Sequence, residues 1–254
     1  MAKILKMPDI TDRAAATTAP QDVLVEDAAT FDVLRRMRED ILCCALKPDQ
    51  RLRFGELRQR YGTSVGTLRE ALSHLVSEGL ARTEAGRGFT VAPISLADFL
   101  DLSELRVYLE TTTLADAIRH GTDAWEAEIV SSYFLLNKLG APRQDDPVGV
   151  KREWGKRHKR FHDSLVATCT SPWSLHFRSE LFDQARRYHW LTMIHARSRR
   201  RNEHLDLRDA VLARDVGLAC GLIEKHIRTT VEQAASEVPG LTMDAVRIIK
   251  RRKA

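Results

Sequence analysis

Leu68, Ala71, Leu72, Leu75 and Val76 recur at three- and four-residue steps, which predicts a helix over about Val65–Glu78 with one face turned to a small core. That face leaves Thr67, Arg69, Ser73 and His74 nearer the outside. A shorter helix is expected before it, ending at Tyr61-Gly62, and two short strands after it, joined through Ala85-Gly86-Arg87-Gly88. Upstream, Phe31, Leu34, Met37, Ile41 and Leu42 predict a helix from Thr30 to Ala45 that Lys47-Pro48-Asp49 stops. Together these elements make a winged helix-turn-helix over residues 30–92.

Beyond Pro93-Ile94-Ser95 the strand pattern does not return. Ser95 with Asp98 is a capping start, and the remainder parses into about six helices, at roughly 96–119, 123–139, 148–169, 173–196, 202–214 and 216–236. The expected fold class is mainly α: an N-terminal winged helix-turn-helix domain followed by a C-terminal all-α antiparallel helical bundle over residues 96–236. Residues 1–25 lack a period and read as a mobile tail. Residues 237–254 end in Lys250-Arg251-Arg252-Lys253 and read as a basic tail.

Length and charge narrow this picture without redirecting it. A chain of 254 residues can bury two cores. No apolar run approaches the roughly 20 residues of a spanning helix, and the first residues lack the apolar core of a signal peptide, so no membrane partner and a cytoplasmic location are expected. The formal net charge of +5 favours an anionic partner. Cys43, Cys44, Cys169 and Cys220 show no CxxC spacing and read as small apolar residues of a reducing compartment.

The winged segment carries the first candidate chemistry. Ser64 stands where an N-cap is wanted, so the helix it starts offers backbone N–H groups to a phosphate. Residues 51–92 hold seven arginines against four glutamates, and five of the seven lie between Arg51 and Arg69, at the mouth of the motif. Arg53, Arg58, Ser64, Thr67, Arg69, Arg87 and Gly88 are the candidate contacts to a double-stranded DNA operator. The wing glycines permit close backbone approach to a groove. The same pattern also occurs in domains that bind only protein.

The second constellation is histidine-based. His158 and His162 lie four apart on one helix face that Leu165 continues, and His204 and His226 share faces with Leu207 and Val211 and with Ala219 and Leu222. Converging imidazoles repel on protonation unless a metal or an anion sits between them. His74, His120, His176, His189 and His195 show no such grouping. No carboxylate is expected beside the cluster.

The run GTSVGTLREALSHLVSEGLARTEAGRGFTV resembles the DNA-binding domain of the GntR family of bacterial transcription regulators. By position, the family's Ser is Ser64, its second Arg is Arg69, and the motif closes at Glu70, Ala71 and Leu72. Its first Arg falls on Val65, its Pro on Thr67, and an arginine of the preceding helix on Gly55. Two usual specificity contacts are therefore missing, which opens the operator to a different sequence. The second half resembles the FCD ligand-binding domain of the fatty-acid-regulator-like branch, on Arg106 and Glu110 in ELRVYLE, Phe161-His162, Glu203-His204, Ala210, Asp215 and His226 in EKHI. EWGKRHKRFH and SELFDQARRYHWL are similar to the branch that regulates glutarate and 4-aminobutyrate use. In many members an Asp and three His bind a divalent metal. His162, His204 and His226 match those histidines, while His158 stands at the Asp position, and an all-imidazole set favours zinc or nickel.

The resemblance implies a homodimeric regulator, a repressor, whose helical domain binds a small carboxylate effector through Arg106 and His158 and holds a metal at His162, His204, His226 and His158. Arg106 has a structural alternative as an i,i+4 partner of Glu110. Two other functions stay open: a metal-dependent hydrolase-like enzyme, and an architectural DNA binder without effector.

Overall fold

The spacing of Val33, Met37 and Ile41 buries one side of α1 (Gln21–Leu42) against the elements that follow it in a computed structural model, which describes residues 21–143, 145–195 and 203–237. The helix begins nine residues before the expected Thr30 and ends before Ala45. The tail expected over 1–25 is thus helical from Gln21, and residues 1–20 and the basic tail after 237 lie outside the described residues.

α1 packs on α2 (Phe54–Tyr61) and α3 (Val65–Ser77), and β1 (Ala81–Glu84) pairs antiparallel with β2 (Gly88–Val91) in the register Ala81 to Val91. Their shared core gathers Met37, Ile41 and Leu42 with Leu57, Leu68, Leu72, Leu75 and Val91. α2 stops because Gly62 adopts a left-handed φ of 67° and returns its N–H to the Arg58 carbonyl. Ser64 then restarts the chain as a helix, its hydroxyl accepting from the Thr67 N–H at 3.2 Å, a cap of about 1 kcal/mol.

The regular elements described in the second half are helices: α4 (Leu96–His120), α5 (Asp123–Leu139), α6 (Val148–Leu165), α7 (Pro172–His195), α8 (Glu203–Leu212) and α9 (Val216–Glu237). Ser95 caps α4 through the Asp98 N–H, and Thr122 caps α5 through that of Trp125. α6 ends at Leu165, four residues short of the expected 169. Leu114, Ile118, Trp125, Ile129, Phe161, Val211 and Ile223 fill the centre.

The halves meet along α1 and α7. Asp40 of α1, almost fully buried, accepts from Arg60 and from the Tyr61 hydroxyl within the winged half and from Arg152 of α6 across the boundary. Gln184 of α7 donates to the Glu78 carbonyl behind α3. Arg187 donates to the Ala92 and Pro93 carbonyls of the connecting segment, and Tyr188 to Asp98 at the start of α4. A buried charge such as Asp40 persists only because it is bonded from several sides. Among the described residues, no helix is long and apolar enough to cross a membrane.

Candidate functional site

The DNA-facing candidates divide by burial. Arg53, Arg58, Ser64 and Arg69 are exposed. Arg53 pairs locally with Glu56 at 3.1 Å, and the Arg69 guanidinium lies 6.0 Å from the Phe54 ring centre, which steadies it without covering it. Arg87 projects from the wing tip with 73% of its side chain exposed, between Gly86 and Gly88, both at φ 75°. A side chain with a Cβ would be strained at either glycine. Thr67 corrects the sequence reading: it is buried, its hydroxyl 3.0 Å from that of Ser64, so it stabilises the first turn of α3 and is not available to a base.

Three helices build the histidine cluster. His158 and His162 come from α6, His204 from α8 and His226 from α9, and one ring nitrogen of each lies within 4.8 Å of the others. His158 Nε2 stands 3.1 Å from His162 Nε2 and 3.2 Å from His204 Nε2. Four imidazole nitrogens around one tetrahedral ion would be about 3.3 Å apart, given bonds of 2.0–2.1 Å. The His158 separations already match that figure, and the set as a whole, within 4.8 Å, would draw in to hold a zinc-like ion.

Two neighbours were not expected from sequence. Glu203 faces His226, Oε2 to Nδ1 at 2.9 Å, so a carboxylate does stand beside the cluster. It orients that ring and turns its Nε2 inward, the usual supporting arrangement for a ligating histidine. His189 of α7 also joins, nearly parallel to His158 at 4.9 Å and 15°, with Trp154 stacked on His158 at 4.5 Å. It belongs to a stripe the sequence did contain: Phe182, Ala185, Arg186 and His189 follow one helical face, and all four line the same cavity.

Burial first, and then the neighbouring rings, hold His158, His162 and His204 well below the ordinary histidine pKa. Burial, His226 and the arginines push His189 down to about 3. At neutral pH these four rings are uncharged, the form that ligates a metal. Arg106 and Arg186 close the wall, while His162 Nδ1, His189 Nε2 and Arg106 Nε are buried without a hydrogen-bond partner among the described residues. Such orphaned groups cost about 1–3 kcal/mol each unless something satisfies them.

Arg106 forms the i,i+4 pair that was its structural alternative. It pairs with Glu110 at 3.4 Å and also borders the cavity. Glu110 is held more closely by Arg178 of α7 at 2.8 Å, and the same guanidinium bonds Asp163 and the His162 carbonyl. Arg178 thus ties α4, α6 and α7 together behind the histidines, a positioning role with no local signal in the sequence.

An exposed recognition helix with an arginine-bearing wing, fused to a helical unit built around a buried polar site, defines a DNA-binding transcription regulator of the winged-helix class. The chain belongs to the GntR family of bacterial regulatory proteins, whose DNA-binding region it matches over residues 30–91, and it carries an FCD domain over residues 101–229. It is 38% identical over 222 residues to the uncharacterized HTH-type transcriptional regulator BphR of Paraburkholderia xenovorans (strain LB400), covering 87% of this chain and 91% of that one. It is 36% identical over 208 residues to the HTH-type transcriptional repressor GlaR of Escherichia coli (strain K12), covering 80% and 94%. The solved structure of E. coli McbR/YncC shares the fold, with a TM-score of 0.68 at 20% identity over 82% of this chain and 97% of that one. These proteins are regulators rather than enzymes, which removes the hydrolase reading even though Glu203 supplies the carboxylate it lacked.

Proposed function

We propose that the chain is a homodimeric cytoplasmic repressor whose operator affinity is set by a small carboxylate held in the helical domain, with a divalent ion at His158, His162, His204 and His226. The observation that carries this is the convergence of His158, His162, His204 and His226, beside a small cavity onto which Arg106 also faces, its buried Nε without a partner among the described residues. Zinc or nickel suits an all-imidazole set, and with His162, His204 and His226 as the ligands the fourth position would be open to a carboxylate. Arg106 would take that carboxylate as a fork, with His158 as fourth ligand or as the group that orients it. Arg53, Arg58, Ser64, Arg69, Arg87 and Gly88 would contact the operator. The likeness to a protein named as a repressor supports the sign of regulation. Exposed Leu105 and Tyr108 on α4, Val130 and Phe134 on α5, and Trp173 and Phe177 on α7 support self-association.

Elemental analysis of untagged protein, before and after zinc or nickel loading, tests the metal; about one ion per chain is expected, released by chelator and by acid as protons compete for the imidazoles. Carboxylate binding that ignores chelator, in protein holding far less than one ion per chain after loading, would leave the arginines to bind the anion alone. Sedimentation tests the dimer.

A further inference from the structure

The histidine cavity is about 20 Å³, enough for a water or an ion and too small for an organic acid. A second, open groove of about 430 Å³ lies on the other side of α6 and α7, lined by Lys156, Lys159 and Arg160 with Glu39, Glu128 and Asp163. That volume is in the range of small-molecule pockets. One side chain, Arg186, borders both spaces.

Arg186 is also bonded to the DNA-binding half. Its guanidinium grips Glu39 of α1 as a fork, Nη2 to Oε2 at 2.9 Å and Nη1 to Oε1 at 3.2 Å, with 10% of the arginine side chain and 21% of the glutamate exposed. The other near carboxylate, Asp183, is 3.6 Å away. Gly155 of α6 leaves the guanidinium room, since a Cβ there would come within 3.2 Å of Nη2. Glu39 is followed in α1 by Asp40, which holds Arg60 and Tyr61 of α2 and Arg152 of α6. A change at Glu39 therefore acts on the contact that fixes α1 and α2 against the helical domain.

We propose that Arg186 is the gate between groove and cavity, and that an entering carboxylate draws its guanidinium off Glu39, so that filling the cavity loosens α1 from α7. This rests on the reading of the helical domain as a carboxylate-binding unit. The groove is the approach: its lysines attract the anion, though Arg160 is largely occupied by Glu128 and Lys159 by Asp163. The cavity must widen to admit a ligand, and the wall that moves is the α7 face whose neighbouring residues, Gln184 and Arg187, grip Glu78 and the connecting segment. A ligand shifts the domain arrangement only by its difference in affinity for the two states, and exchange of one carboxylate for another on Arg186 is such a difference.

Linkage makes the gate testable without knowing the operator. If the anion must take Arg186 from Glu39, then removing the Glu39 charge must strengthen anion binding. The experiment is calorimetric titration of the full-length wild type, Glu39→Gln and Arg186→Gln with succinate, glutarate and citrate as probes, each protein checked for folding by circular dichroism. Glu39→Gln should bind the best probe about 5-fold or more tightly than wild type, and Arg186→Gln should bind it more weakly. A purely structural Glu39–Arg186 pair would lower thermal stability in Glu39→Gln without raising anion affinity. Equal affinity in wild type and Glu39→Gln would overturn the gate while leaving the carboxylate pocket standing. Binding of no probe by wild type or Glu39→Gln would overturn the pocket, and the gate with it.

Discussion

The two halves place charge in opposite ways. In the winged half, Arg53 and Arg87 face outward and pair with near neighbours in the chain, Glu56 and Glu84. In the helical half, Arg106, Arg178 and Arg186 are buried, and each takes part in contacts between helices. Exposed charge is cheap to carry and available to an anion as large as DNA. Buried charge is costly, holds fixed geometry and answers only to what can enter.

The contrast should appear most strongly in Arg178→Met. That change leaves Glu110, whose side chain is 3% exposed, with only the longer 3.4 Å contact to Arg106, and breaking one side of a buried pair costs about 3–5 kcal/mol. Urea denaturation measures it, and a loss under about 1 kcal/mol would mean that Glu110 finds another partner or sheds its charge. Arg53→Ala, by comparison, should change stability by no more than about 0.5 kcal/mol. Next in size, Arg69→Ala should weaken an operator selected from random duplexes by about 1–3 kcal/mol while leaving the melting temperature alone. Unaltered operator affinity would remove Arg69 from base reading. Ser64→Ala should cost about 1 kcal/mol of stability through loss of the α3 cap.

Smaller still, Arg87→Ala should weaken all duplexes alike and reduce the slope of log affinity against log salt by about 1, as loss of one phosphate contact does. A loss confined to one sequence would argue for a base contact. Glu39 gives the comparison a pH axis. Although burial acts in the other direction, the bonded Arg186 guanidinium keeps its carboxyl below the usual glutamate range. A depressed carboxyl pKa stabilises the fold fully above the ordinary value of 4.5 and loses that contribution as pH falls through the lowered one. The fall in stability below pH 4.5 should therefore be shallower in Glu39→Gln, and an identical acid profile would show that the carboxylate gains nothing from the pairing.

What the sequence disclosed follows the same division. Ser64, Gly62 and the Leu68-Leu72-Leu75 face are local signals, and the winged half formed as its spacing required. Thr67 was placed outward and Phe31 on the apolar face, yet Thr67 is buried and Phe31 exposed; the first arose because a residue three past the cap can serve the cap itself. The histidines on α6 were legible as a pair four residues apart, since one helix sets that geometry. His189, Glu203 and Arg178 were not, because their meaning depends on which helices become neighbours. His189 sat in a readable stripe with Phe182, Ala185 and Arg186, but a mean polarity pulled upward by Arg186 and His189 hid its inward face. The extra turns at the start of α1 had no apolar period of their own to announce them.

The bonds from Arg187 to the Ala92 and Pro93 carbonyls, and from Tyr188 to Asp98, bear on how such proteins can be recombined. In the sequence Pro93-Ile94-Ser95 marks only a boundary, the place where one reading head would be exchanged for another. It is instead clasped from the side by a helix that lies some ninety residues further along the chain. A transplanted winged module would arrive with its connecting backbone unclasped unless the recipient offered an arginine and a tyrosine at the same two consecutive positions. The unit that can be moved intact is therefore discontinuous: residues 21 to about 98 together with Arg152 of α6 and one turn of α7.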